Sequence, residues 1–141
     1  MNAPSMPFAL RLSWAQGLFE RGDHAAAATA LSGLVADVEA QESLRPDGGE
    51  PVELDELPET MPLHGTAELR LLLARAYFHS AQLGRAEAVL VRLVEEEPTD
   101  AYAHLLLGRT LQRAGRREEA ARPLALAEIL GGYERHDAPG T

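Results

Sequence analysis

The sequence predicts an all-α protein, an array of three helix–turn–helix hairpins on 141 residues with one loop inserted after the first hairpin. Three observations predict it. The chain resembles itself at an offset of 34 residues: Leu107-Gly108-Arg109-Thr110-Leu111 aligns with Leu73-Ala74-Arg75-Ala76-Tyr77, and Ala120 and Leu124 align with Ala86 and Leu90. A third copy stands earlier, with Trp14-Ala15-Gln16-Gly17-Leu18, then Ala27 and Leu31 at the same internal spacings. Self-similarity at this period marks a repeat array. Each copy also carries two apolar stripes at helical spacing, parted by a break at Gly22, at Ala81 (with Gly84 just after) or at Gly115. Finally, a small residue recurs at one register position, Ala15, Ala74 and Gly108, although glycine inside a helix costs about 0.5–1 kcal/mol relative to alanine. A small side chain where two helices cross lets their axes approach to the ~8 Å lower limit of helix packing.

The elements follow in order. Residues 1–7 are a flexible N-terminus, and residues 8–41 form the first hairpin. Gly22 ends its first helix in the left-handed conformation that glycine adopts without a steric penalty. Residues 42–66, ESLRPDGGEPVELDELPETMPLHGT, hold four prolines, three glycines and a high density of acids without helical periodicity, and read as a disordered acidic loop. Residues 67–100 form the second hairpin, closed by Pro98, with Thr99 and Asp100 as cap candidates for the next helix. Residues 101–134 form the third hairpin, with Gly115 at its turn and Pro123 inside its second helix, where a modest kink is expected. Residues 135–141 are a flexible tail, too short to supply a solvating helix, so the apolar side of the last helix around Leu126, Ile129 and Leu130 is expected to stay open.

This pattern resembles the tetratricopeptide repeat family, a 34-residue helical hairpin with a large residue, Leu, Gly or Ala and an aromatic on its first helix, and Ala, an aromatic or Leu, and Pro on its second. The matching residues are Arg11, Trp14, Ala15, Leu18, Ala27 and Leu31 in the first copy, and Arg70, Leu73, Ala74, Tyr77, Ala86, Leu90 and Pro98 in the second. In the third copy they are His104, Leu107, Gly108, Leu111, Ala120 and Leu124. The resemblance implies a right-handed superhelical array of three tetratricopeptide-like hairpins. It also implies a concave groove lined by the first helices of successive repeats.

Carried over position by position, the peptide-binding groove comprises Leu12, Gln16 and Phe19 from the first copy and Leu71, Arg75, Phe78 and His79 from the second. The third copy contributes Tyr102, Leu105, Arg109, Gln112 and Arg113. On a chain of net charge -9 this face is rich in arginine over a floor of leucine and phenylalanine. Such a face suits a partner peptide or helix with apolar anchors and carboxylates, which guanidinium groups bind through paired charge-assisted hydrogen bonds. The family's carboxylate clamp for chaperone tails does not carry over, because Leu12, Gln16, Leu72, Tyr102 and Leu106 stand where it needs lysine, asparagine and arginine. The loop itself offers the right ligand chemistry, since Pro51–Leu63, PVELDELPETMPL, alternates apolar and acidic residues.

Other functions fare worse. Cysteine is absent, which excludes disulfides and thiolate metal sites. His24, His64, His79, His104 and His136 show no metal-ligand spacing, so no metal and no cofactor is expected. No nucleophile–base pair and no glycine-rich phosphate loop appears, and catalysis is not expected. The one basic cluster, Arg109, Arg113, Arg116, Arg117 and Arg122, is interrupted by Glu118 and Glu119 on an acidic chain, which disfavours nucleic acid. The start MNAPSMPFALRLSW lacks a basic segment followed by an apolar core, and no run approaches the ~20 apolar residues of a membrane span. A cytoplasmic protein is the expectation, and the lack of lysine with abundant Ala, Arg, Gly and Leu fits a GC-rich bacterial genome. The resulting expectation is a non-catalytic adaptor for a protein partner. The alternative is a self-assembling subunit, a homodimer joined through Leu126, Ile129 and Leu130.

Overall fold

The computed structural model describes residues 7–43 and 65–132. Every regular element among the described residues is an α-helix, in the order α1 (Phe8–Glu20), α2 (His24–Ser43), α3 (Gly65–His79), α4 (Leu83–Glu96), α5 (Ala101–Arg113) and α6 (Arg117–Gly131). The all-α fold class and the pairing of helices around three breaks therefore agree with the sequence reading. The expectations for the N-terminus, for the tail and for most of the 42–66 loop, including its occupancy of the groove, lie outside the described residues. The chain divides into two compact units, Met1–Leu73 and Ala74–Thr141.

One hydrogen-bond motif builds all three hairpin turns. The N–H groups of Asp23, Gln82 and Arg116 donate to the carbonyls of Leu18, Tyr77 and Leu111, five residues back in each case. The residue before each donor sits in the left-handed region: Gly22 at φ 86°, Ala81 at 63° and Gly115 at 82°. These bonds satisfy carbonyls that a helix end leaves without partners. The middle turn performs the task with a residue whose Cβ opposes the conformation, at a cost of about 1–2 kcal/mol. Local side chains support it, Ser80 Oγ donating to the Ala76 carbonyl at 2.7 Å and Gln82 Nε2 donating to Ser80 Oγ at 2.9 Å. Gly84 has no part in the break and lies inside α4.

Within the first unit α1 packs on α2, with Ala15 and Leu18 buried from α1 and Ala27, Ala28, Leu31, Leu34, Val35 and Val38 from α2. Two ion pairs flank this core: Arg11 with Asp37, and Arg70 with Glu39, whose carboxylate accepts from Arg70 Nη2 at 3.1 Å and from Nε at 3.3 Å. Asp23 precedes α2 and its Oδ1 accepts weakly from the Ala26 N–H at 3.4 Å.

Within the second unit α5 lies between α4 and α6 and packs on both. Asp100 caps α5, its Oδ1 accepting from the Ala103 N–H at 3.0 Å, as the sequence reading anticipated. The buried His104 donates from Nε2 to the Pro98 carbonyl at 2.8 Å and so fixes the connection from α4. Gly108 has the predicted reason for its smallness. A Cβ on it would stand 2.5 Å from both Cγ and Cδ2 of Leu124 and 3.3 Å from the Leu124 nitrogen, so α6 lies directly on the glycine. Pro123 sits one residue before this contact, inside a helix that runs through to Gly131.

Trp14 differs in burial from its register equivalents. Trp14 occupies the register of Leu73 and Leu107, both buried, yet it is 57% exposed and its indole instead carries the Arg21 guanidinium 5.6 Å from the ring centre. A register position specifies which side of a helix a residue faces, and burial requires a neighbour on that side.

Candidate functional site

The expected groove residues divide between the two units. In the first, Leu12, Phe19 and Leu71 are half-buried and Gln16 is exposed. Phe19 also meets the His24 ring edge-on at 4.8 Å.

In the second unit the C-terminal ends of α3 and α5 meet at Phe78. Arg113 joins them. Its Nη1 donates to the Phe78 carbonyl, and its guanidinium stands over the Phe78 ring, 4.9 Å from the centroid. The carbonyl belongs to the last turn of α3, where backbone acceptors lack helical partners, so a cation there is favoured by both hydrogen bonding and the helix dipole. Helical spacing then puts Arg109 one turn before Arg113, and Arg75 one turn before Phe78. Phe78 is half-buried beneath the guanidinium, with His79 edge-on to it at 5.4 Å.

Exposure sorts the remaining members. Arg109 and His79 are exposed, and Tyr102, Gln112 and Arg75 are half-buried. Leu105 is only 9% exposed and belongs to the interior with Leu106 and Leu107. Arg113 is therefore partly a structural tie, an assignment invisible to sequence reading because it depends on where a carbonyl of α3 points. The face that remains is a cationic, half-apolar strip running Tyr102, Arg109, Gln112 and Arg113 along α5, beside Phe78.

A second charged group lies behind the α5–α6 turn. Arg116 pairs with Glu119 through both Nε, at 2.8 Å, and Nη2, and with Glu87 of α4 through Nη1. The hydrogen bond from Arg116 holds the Glu119 carboxyl below its usual range, and the bonds to Glu119 and then Glu87 raise Arg116 further above its ordinary value. Two of the five arginines of the basic cluster, Arg113 and Arg116, are thus engaged within the protein.

On α6, Ile129 is 77% exposed, Leu130 is exposed and Leu126 is half-buried, so the apolar side named as an oligomer surface does face solvent. Among the described residues no group of three or more His, Cys, Asp or Glu could hold a metal ion, and no helix is long and apolar enough to cross a membrane.

No curated protein and no solved structure matches the chain significantly. Residues 65–109 match the family model of the tetratricopeptide repeat, which covers α3, α4 and the start of α5. That stretch, with its left-handed turn at Ala81, its buried Ala74 and Ala86 and the Asp100 cap that begins the next helix, is similar to a tetratricopeptide repeat.

Proposed function

We propose that this protein is a non-catalytic adaptor that captures a peptide or helix of a partner protein on the strip formed by α5 and the end of α3. Repeats of the tetratricopeptide type generally mediate protein–protein interaction, and the matched segment includes Phe78, Tyr102 and Arg109 of the strip. The observation that carries the reading is Arg113 over Phe78. It gathers an aromatic ring, an exposed arginine at Arg109 and the amide of Gln112 on one surface of an otherwise acidic chain. The chemistry fits a ligand with apolar residues and carboxylates, the guanidinium groups supplying directed hydrogen bonds and the ring a dry contact.

Titrating isotopically labelled protein with the synthetic peptide PVELDELPETMPL tests this reading. Amide shifts concentrated at Tyr102, Arg109 and Gln112, and lost in an Arg75→Gln, Arg109→Gln double variant, are the expected result. An unchanged spectrum at the highest peptide concentration rejects it. The alternative, a subunit that assembles through α6, has the exposure of Ile129 and Leu130 in its favour, and loss of self-association on charge substitution at Leu126 and Ile129 is its distinguishing result.

A further inference from the structure

Helix α1 carries a stripe made of Leu10, Trp14, Gly17 and Arg21, at spacings of four, three and four residues that place them on one side of the helix. Leu10 is 55% exposed and Trp14 57%. Gly17 lies mid-helix at the propensity cost already noted, yet a Cβ on it would meet nothing within 4 Å. Among the described residues nothing packs on the glycine, and the indole, which carries the Arg21 guanidinium of the same stripe, stays more than half exposed.

The repeat register shows what such a stripe receives. Shifting by 93 residues, from the first hairpin to the third, maps Leu10, Trp14 and Gly17 onto Ala103, Leu107 and Thr110. All three are buried in α5, which lies between two helices. On α5 the stripe is buried; on α1 its large apolar residues are more than half exposed.

We propose that a second copy of this chain covers it, through a two-fold antiparallel pairing of α1 with its counterpart. The stripe is its own complement. A two-fold axis passing between Ala15 and Gln16 sets Trp14 of each copy over Gly17 of the other, and Leu10 against the aliphatic stem of Arg21. Large-over-glycine packing is a contact this chain already makes, where Leu124 sits on Gly108. The stripe contains no acid, so it can close without like-charge repulsion although the chain carries a net charge of -9. Closed two-fold pairs are the commonest oligomers. One face of a helix about 20 Å long buries less than the ~800 Å² per partner of a standard interface. The pairing is accordingly weak and dependent on concentration.

Trp14 is the sole tryptophan, so its emission reports on this face directly. Across a concentration series, light scattering should show the mass rising toward twice that of the monomer while the emission shifts to the blue. Gly17→Gln, a substitution into open space by a better helix former, should keep the helical signal and the melting temperature while abolishing both changes; Leu10→Glu should do the same. Ile129→Glu should leave both changes intact. A constant monomer mass with unchanging emission overturns the proposal, as does pairing that survives Gly17→Gln and Leu10→Glu. Pairing lost on Ile129→Glu alone also overturns it and moves the interface to α6.

Discussion

Helices α1 and α5 begin their hairpins at the same register, end in the same left-handed turn and carry glycine within their spans, yet those glycines do opposite things. Gly108 is packed against Leu124 and could not accept a Cβ without moving α6, whereas Gly17 faces open space. The difference lies in the neighbours: α5 has a helix on each side, and α1 packs on α2. Repetition in sequence thus produces equal helices but unequal environments, and the unequal positions are where association with other chains has room to occur.

The largest effect that would break this comparison is at the two glycines. Gly108→Leu should destabilise the fold by about 1–3 kcal/mol, the range for overpacking a close contact. Gly17→Ala should be neutral or stabilising by up to about 0.5–1 kcal/mol, since it removes a helix-interior glycine and meets no neighbour. Thermal melts of the two variants side by side decide it. Equal shifts would mean that the helices are not packed as described.

The caps give a smaller contrast of the same kind. Asp100→Ala loses a 3.0 Å bond to the Ala103 N–H and should cost about 1 kcal/mol, while Asp23→Ala, with a 3.4 Å bond, should cost less. Urea denaturation measures both. The middle turn should respond in the other direction: Ala81→Gly relieves a left-handed alanine and should stabilise by up to about 1 kcal/mol, whereas Gly22→Ala and Gly115→Ala should destabilise by a similar amount.

The smallest expected effect concerns pH. Glu119 has its folded pKa depressed by the Arg116 hydrogen bond, so its contribution is present above the unfolded pKa and is lost as pH falls through the lower folded value. Because the pair is exposed the effect is slight. Melting temperatures of the protein and of Glu119→Gln should differ at neutral pH and converge in acid below the ordinary carboxylate range; a constant difference would show that the ion pair is not its source.

Much of this architecture was legible in the amino-acid order. Gly22 and Gly115 announced left-handed turns, Asp100 announced a cap, and Gly108 announced a crossing, because each rests on local backbone chemistry or on a periodicity that the chain displays by itself. Ala81 was recognisable as a break only through register, since nothing in an alanine advertises a positive φ. The candidate site was legible as a set of positions and illegible as a set of roles. Arg113 and Arg109 read alike, yet one is drawn onto the Phe78 carbonyl and ring while the other stands in solvent, and Leu105 sits in the interior although its register suggested a groove floor.

The sequence by itself determined the six helices, their turns and the side of each helix that packs, because helical period, capping and glycine conformation are properties of short stretches of chain. Only the tertiary structure decided which packing stripes are buried, which arginines are consumed in holding helix ends, and that Trp14 stays more than half exposed. Burial and hydrogen bonding depend on what a distant segment brings to the same place. No local pattern encodes that.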